Sequence, residues 1–370
     1  INKTTPQIRE RIRQQLRADN PEKKPMHTID KVDADLQRFV IPESAGTIVG
    51  VLYIFHVLAS LVWCPAAVPD IYISLPVACL VIMLALFLGC VDDVLEVRWR
   101  EKVVYSLIAT VPILLVYSGP TTVVVPKPLQ HLQLLGTEIL GTHLDLGVFY
   151  LLYMGLWCVF CTNSINILAG VNGLEVGQSL VIAVACIVYN VIQYQKASAA
   201  MPSSLTESAL AAHSIAILFL LPFVALCVAM WQANRYPAKW FVGDSFTYFA
   251  GTVLACASIV GHFTKTLMLF FVPQLLNFLI SVPQLAPERW KRFVPFWKAC
   301  PRHRVPIWNP QTGKLESSGN YTLLNAYLYL FGPCTEAQLC RGLLGFQVLC
   351  CALGFGVRYY LASWLYDHVD

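Results

Sequence analysis

Residues 71–91 read IYISLPVACLVIMLALFLGCV, and Asp92 and Asp93 follow at once. A run of this length without a charged side chain matches the roughly 20 residues that a helix needs to cross the hydrocarbon layer of a bilayer. It must be helical, because a lone strand leaves its backbone polar groups unpaired in lipid. The two carboxylates then mark where the chain leaves the apolar layer.

Outward from this run, the same pattern recurs. The stretches 44–64, 71–91, 103–119, 145–161, 178–195, 212–231, 245–263, 266–286 and 338–365 predict nine transmembrane helices, and the shorter apolar stretch 321–332 predicts an interfacial or re-entrant piece. The composition agrees. Apolar residues make up 56% of the 370 and charged residues only 13%, against about 25% charged in soluble domains. That excludes a disordered chain, a coiled coil and a water-soluble enzyme. The net charge of +4 is too small to imply a nucleic-acid partner. Most of the thirteen cysteines fall inside apolar runs, where they read as small buried hydrophobes. Cys158 and Cys161 form a C-x-x-C with no second pair at zinc spacing. The predicted fold is therefore all-α, a polytopic integral membrane protein. Its expected parts are a charged N-terminal segment 1–43, a transmembrane core 44–286, a loop 287–322, and a last part 323–370 with the interfacial piece and the ninth span.

Alternation of the spans sorts the loops into two faces. One face holds 21 of the 26 Lys and Arg residues, the other only Lys127, Lys196 and Lys265, while Arg341 and Arg358 fall within the last span. Positive loops stay in the cytoplasm, so the basic face is predicted to be cytoplasmic. The interiors of the first eight spans lack Asp, Glu, Lys and Arg, which argues against an ion-coupled carrier. Asn190, Gln274, Asn277 and Gln284 are the polar residues there, expected to hydrogen-bond between helices. Pro273 and Pro283 are expected to kink the eighth span. Residues 1–43 carry nine basic and seven acidic side chains. Ile8, Ile12 and Leu16 recur there at helical spacing, which suits either a helix on an anionic leaflet or a solvated charged insertion. The chain starts at Ile1 rather than at a methionine, so a preceding piece is expected. Asn2-Lys3-Thr4 and Asn320-Tyr321-Thr322 match the N-glycosylation pattern but fall on the basic face, so neither is expected to be modified.

Four unusual segments lie on that same face. In the first, Asp92, Asp93 and Glu96 precede Arg98, Arg100 and Lys102. Adjacent carboxylates raise one another's pKa unless a cation relieves them; the plainer reading is a charged loop closing the second span. The second, Cys161 to Glu175, is rich in amides (Asn163, Asn166, Asn172) and contains Gly170 and Gly173. Neutral oxygens with close backbone approach suit a hard cation or a nucleotide, or simply a turn between helices. The third, Phe241-Val-Gly-Asp244-Ser-Phe, places Asp244 where a helix N-cap alone would explain it. The fourth, Pro301-Arg302-His303-Arg304-Val-Pro306, suits a diphosphate clamp or a solvated basic patch. Together they are the parts needed for magnesium-assisted phosphoryl transfer. No P-loop or G-x-G-x-x-G occurs, which disfavours an ATPase or a Rossmann enzyme.

In order and spacing these segments, with Ile41-Pro-Glu43-Ser44, resemble the polyprenyl-phosphate N-acetylhexosamine-1-phosphate transferase family, and most closely its eukaryotic, dolichyl-phosphate branch. The resemblance implies a ten-helix fold, which the nine spans fit if the first helix lies upstream of Ile1. It implies transfer of GlcNAc-1-phosphate from UDP-GlcNAc to dolichyl phosphate with release of UMP, on the cytoplasmic face of the endoplasmic reticulum. It also implies a homodimer and tunicamycin sensitivity. Carried over residue by residue, Asn166 and Asp244 would hold Mg²⁺, and Lys102, Asn163 and Asn166 the lipid phosphate. Arg302, His303 and Arg304 would grip the diphosphate and sugar. Phe241 would stack on uracil, with Ile1, Glu43, Gly170 and Asn172 around the nucleoside. Asp92 and Asp93 would position phosphate and metal rather than accept a proton. Alternatives are a sister transferase with another UDP-amino sugar, and a nucleotide-sugar or lipid transporter.

Overall fold

The computed structural model describes residues 45–63, 71–95, 97–130, 133–134, 137–138, 142–285 and 305–365. The charged segment with Ile1 and Glu43, Glu96, and the stretch with Arg302, His303 and Arg304 lie outside the described residues, as does the side chain of Gln284.

The helices are α1 (Ala45–Trp63), α2 (Ile71–Leu95), α3 (Trp99–Leu115), α4 (Val148–Ile167), α5 (Leu174–Ala199), α6 (Ser204–Asn234), α7 (Gly243–Val260), α8 (Thr264–Phe270), α9 (Val272–Leu285), α10 (Leu323–Phe331) and α11 (Glu336–Gly356). The π-helical turn Val357–Leu361 extends α11. Each predicted span has a helix. Six are long and apolar enough to cross a membrane, and α8 with α9 makes a seventh if the pair is one span bent by 70°. Large apolar side chains such as Phe55, Phe87, Phe149 and Leu353 cover the outside, as lipid rather than water would require. The chain is a mostly helical, polytopic membrane protein.

Three readings need correction. The protein is not purely helical: the short strands β1 (Thr122–Val124) and β4 (His143–Asp145) pair antiparallel, as do β2 (Gln133–Leu134) with β3 (Thr137–Glu138), and β5 (Ile307–Asn309) with β6 (Lys314–Glu316). The β-branched run Thr121 to Val125 explains β1, since such side chains fit a pleated surface better than a helix. Second, α2 runs on to Leu95, and α4 to Ile167. Asp92, Asp93, Asn163 and Asn166 are thus on the last turns of helices, not in loops. Third, the eighth span breaks at Phe271, just before Pro273, while α9 continues past position 283. A proline near a helix start costs no hydrogen bond, so Pro273 sits where it is tolerated.

Helix α7 is the axis. Every residue from Ser245 to Ile259 is buried, and α1, α2, α4 and α6 pack around it. Glycines permit this closeness. A Cβ on Gly89 would come within 2.5 Å of Ser245 Cα, and one on Gly251 would run into the carbonyl oxygen of Cys161. Small residues at such contacts let helix backbones approach in a membrane, where apolar burial alone gives no drive to associate. Aromatic rings fill the space beside α7: Tyr53 meets Phe249 edge-on at 5.2 Å and donates its hydroxyl to the Phe219 carbonyl at 3.0 Å.

Three of the polar residues inside the spans, Asn190, Gln274 and Asn277, do bridge helices. Gln274 Nε2 donates to Gln178 Oε1 (2.7 Å) and Gln347 Oε1 (2.8 Å), joining α9, α5 and α11. Asn277 Oδ1 accepts from the Leu323 amide at 2.8 Å, which ties α10 to α9, and Asn190 Oδ1 meets His213 Nδ1 at 2.8 Å.

Successive helices run in opposite directions, so particular ends coincide. The C-termini of α2, α4 and α6 meet the N-termini of α3, α5, α7 and α11 at one end of the bundle, linked by the contacts described next.

Candidate active site

Asp92 is fully buried. A carboxylate there requires compensation, and three groups supply it. Lys102, on the first turn of α3, forms an ion pair with Asp92 Oδ2. The Tyr248 hydroxyl donates to the same oxygen at 3.2 Å, and the Val97 amide donates to Oδ1 at 3.0 Å. Charge and hydrogen bonds to the ionised form hold Asp92 as an anion and fix the Lys102 ammonium beside it.

Asp93 does something different. Its two oxygens accept from the backbone amides of Asp244 (2.7 Å) and Ser245 (3.1 Å). It caps α7 from another helix, and its negative charge meets the positive end of the helix dipole. Asp244 is accordingly not the cap that the sequence suggested: it sits in the first turn, after Val242 and Gly243. Because Asp93 satisfies the amides, the Asp244 side chain can turn elsewhere. Its Oδ1 accepts from Asn166 Nδ2 at 2.7 Å, and its Oδ2 lies 3.9 Å from Lys102 Nζ. Asn166 Nδ2 also meets Thr247 Oγ1 at 3.1 Å.

Asp92, Asp93, Lys102, Asn166 and Asp244 thus form one connected cluster, drawn from α2, α3, α4 and α7. Asp244 and Lys102 keep 25% and 20% of their side-chain surface open, so the cluster is reachable from outside while its support is buried. Asn163 stands one turn deeper on α4, where its amide donates to Ser106 Oγ (3.4 Å) and the Val159 carbonyl (2.8 Å). It faces α3, and neither of these hydrogen bonds reaches the cluster.

The loop 168–173 lies beside it and is pinned at three backbone amides. Gly170 N donates to Glu175 Oε1 (3.0 Å), Asn172 N to Glu336 Oε1 (2.7 Å), and Gly173 N to Asn234 Oδ1 (3.1 Å). Gly173 has φ +88° just before α5 begins, a conformation that a side chain would disfavour. Asn234 also donates to the Trp240 carbonyl at 2.9 Å, and the Phe241 carbonyl accepts from Ala45 N at 3.3 Å. The segment holding Phe241 is therefore fastened both to the 168–173 loop and to the start of α1. Val305 lies over Gly170, since a Cβ there would meet it at 3.4 Å.

Of the residues named from sequence, the cluster gathers five, and Gly170, Asn172 and Phe241 border it on tied loops. Ile1, Glu43, Arg302, His303 and Arg304 lie outside the described residues. Sequence reasoning missed Tyr248 and Thr247, although both are one helical turn from Asp244. It also missed the supporting role of Glu175, Asn234 and Glu336. Glu336 is 164 residues from its partner, a distance over which no local pattern carries information. Among the described residues no group of three His, Cys, Asp or Glu side chains is arranged to hold a metal alone.

Comparison with known proteins bears on this site. A sequence model of glycosyl transferase family 4 matches residues 75–262, from within α2 to the end of α7. The chain belongs to this family. Among similar proteins, the UDP-N-acetylglucosamine–dolichyl-phosphate N-acetylglucosaminephosphotransferase of Leishmania amazonensis is 42% identical over an alignment covering 100% of this chain and 88% of that protein. The protein of the same name from Dictyostelium discoideum is 46% identical, over 86% of this chain and 78% of its own. The phospho-N-acetylmuramoyl-pentapeptide-transferase of Streptococcus mutans is more distantly similar, 26% identical over 44% of each chain. The family match contains the whole cluster from Asp92 to Tyr248.

Proposed function

We propose that this protein transfers N-acetylglucosamine 1-phosphate from UDP-GlcNAc to dolichyl phosphate, giving dolichyl-diphosphate-GlcNAc and UMP. The observation that carries the reading is the Asp244–Asn166–Lys102–Asp92 cluster at one end of a membrane bundle, in a chain whose similar relatives bear that enzyme's name. In the reaction an oxygen of dolichyl phosphate bonds to the β-phosphorus of UDP-GlcNAc. The bond from that phosphorus to the α–β bridging oxygen breaks, and the electron pair leaves with UMP. A phosphate group is substantially ionised near neutral pH, so the attack needs no base.

The residues have roles that fit. Lys102 receives the lipid phosphate, and Asp92 orients Lys102. Asp92 is buried and hydrogen-bonded as an anion, which suits positioning better than proton uptake. Asp93 sets the start of α7 and so aims Asp244. For magnesium the donor set is one carboxylate, Asp244, and one amide, Asn166. That is too few for an all-protein cage, but it fits an ion that takes its other ligands from substrate phosphates and water. Bound there, magnesium would neutralise charge on the diphosphate oxygens. The Arg302-His303-Arg304 run is the candidate diphosphate clamp, with Phe241, Gly170, Asn172 and Glu43 about the nucleoside.

The finer topology belongs to the same proposal: nine spans, the cluster on the cytoplasmic face of the endoplasmic reticulum, and a homodimer. Purified protein should release UMP only when UDP-GlcNAc, dolichyl phosphate and Mg²⁺ are all present, and tunicamycin should stop it. UMP release at the same rate from UDP-GalNAc would favour a sister enzyme. Binding of the nucleotide sugar without turnover would contradict the proposal.

A further inference from the structure

The end of the bundle away from the cluster carries few basic residues, and three of them converge. Glu175 and Lys196 lie at opposite ends of α5, about 30 Å apart at 1.5 Å per residue. Lys265 follows α7, which has Asp244 in its first turn and ends at Val260. Arg358 lies in the π-helical turn that extends α11, the helix that Glu336 begins. All three are thus carried to the far side. There the Lys196 ammonium lies 4.6 Å from the Tyr359 ring centre, and the Arg358 guanidinium 5.9 Å from that of Tyr189. Arg358 and Lys265 are within electrostatic reach of one another.

Like charges gathered this way repel, and among the described residues none of the three has a carboxylate within ion-pair distance. Two further atoms at the same place are unsatisfied. Arg358 Nε and the Tyr359 hydroxyl are both buried and have no hydrogen-bond partner. Such groups are costly, and both are donors. They come from the π-helical turn Val357–Leu361, an irregularity that often marks a functional site. Three cations and two orphaned donors all call for the same missing group, an anion rich in acceptor oxygens.

We propose that Lys196, Lys265, Arg358 and Tyr359 bind the phosphate headgroup of an anionic phospholipid in the leaflet opposite the active site. The surroundings favour a lipid over a free anion. Tyr360, Leu361 and Trp364 on the same helical tail are exposed, as are Val191 and Tyr194 near Lys196. They give an acyl chain a surface directly beside the charges, with aromatics at the depth where they anchor to a membrane interface.

The test uses the full chain in nanodiscs of equimolar phosphatidylcholine and phosphatidylglycerol. Lipid retained after detergent extraction is counted by native mass spectrometry. The wild type should retain phosphatidylglycerol preferentially. Each basic residue near a membrane surface contributes an attraction equivalent to about fivefold. Lys196→Gln, at an exposed position that leaves packing intact, should therefore reduce the preference about fivefold with an unchanged Tm. Arg358→Gln with Lys265→Gln should reduce it more than tenfold. Equal retention of both lipids by the wild type would overturn the proposal, as would an unchanged preference in Lys196→Gln and in the double variant. Complete displacement of phosphatidylglycerol by millimolar inorganic phosphate would assign the site to a free anion instead.

Discussion

Asp92 and Lys102 are the pair on which the local account depends. Lys102→Met leaves a fully buried carboxylate without its cation, and breaking such a pair typically costs about 3–5 kcal/mol. The double variant Asp92→Asn/Lys102→Met removes both charges and should recover much of that loss, while remaining inactive. Thermal unfolding of the wild type and these two variants in one detergent checks this. If the double variant is no more stable than Lys102→Met, Asp92 is not held by Lys102. The role proposed for Asp244 lies in chemistry, not in stability. Asp93, not Asp244, caps α7, so Asp244→Ala should keep its Tm within a few degrees while turnover falls by at least about 10²-fold, the scale for loss of an electrostatic group. Near-normal turnover would contradict a role at the diphosphate. At this scale the sequence was informative about which residues come together, because charges are scarce in the chain and cluster beside apolar runs. It was silent on the division of labour between Asp92 and Asp93. That depends on which way each side chain leaves α2, and so on the helix they meet.

Among the elements, α7 carries the most consequence. Its start is set by Asp93, and its faces lie against α2 and α4 through Gly89 and Gly251. Asp93→Asn keeps the shape but weakens the cap and its interaction with the helix dipole, and should cost about 1 kcal/mol. Gly89→Ala should be worse. The added methyl meets the backbone of Asp244 and Ser245, a contact that cannot relax by rotating a side chain. Overpacking of this kind costs roughly 1–3 kcal/mol, and here it also moves Asp93 away from Asp244. Turnover should fall more than the Tm shift alone explains. A Tm and turnover equal to wild type would mean that α2 and α7 are not in close contact. The apolar runs made the helices legible. Their ends were less so, because hydropathy changes where the lipid ends and not where the helix ends, which is why α2 and α4 extend past the predicted boundaries. The strands β1 and β4 were missed because two three-residue strands leave too short a pattern to read.

For the whole molecule, the opposed directions of neighbouring helices bring the ends of α2, α4 and α6 to one side, with Asp92, Asn166 and Asn234. The basic loops predicted for that side imply the proposed cytoplasmic orientation, and Asn320 tests that proposal. It lies in a glycosylation pattern yet is buried, so protein expressed in microsomes should show no glycan there, whereas glycan at Asn320 would invert the topology. The positive-inside argument could be made from sequence because it needs only the order of spans. The far-side cluster of Lys196, Lys265 and Arg358 could not, since its members come from three helices whose packing no local pattern specifies. The central claim is that the bond broken lies between the two phosphorus atoms of UDP-GlcNAc. UDP-GlcNAc labelled with ³²P at the β-position decides it directly. The account predicts that the label passes to the lipid product and that unlabelled UMP is released. Label recovered in UDP, with an unlabelled glycolipid, would mean that the sugar alone is transferred and would contradict it.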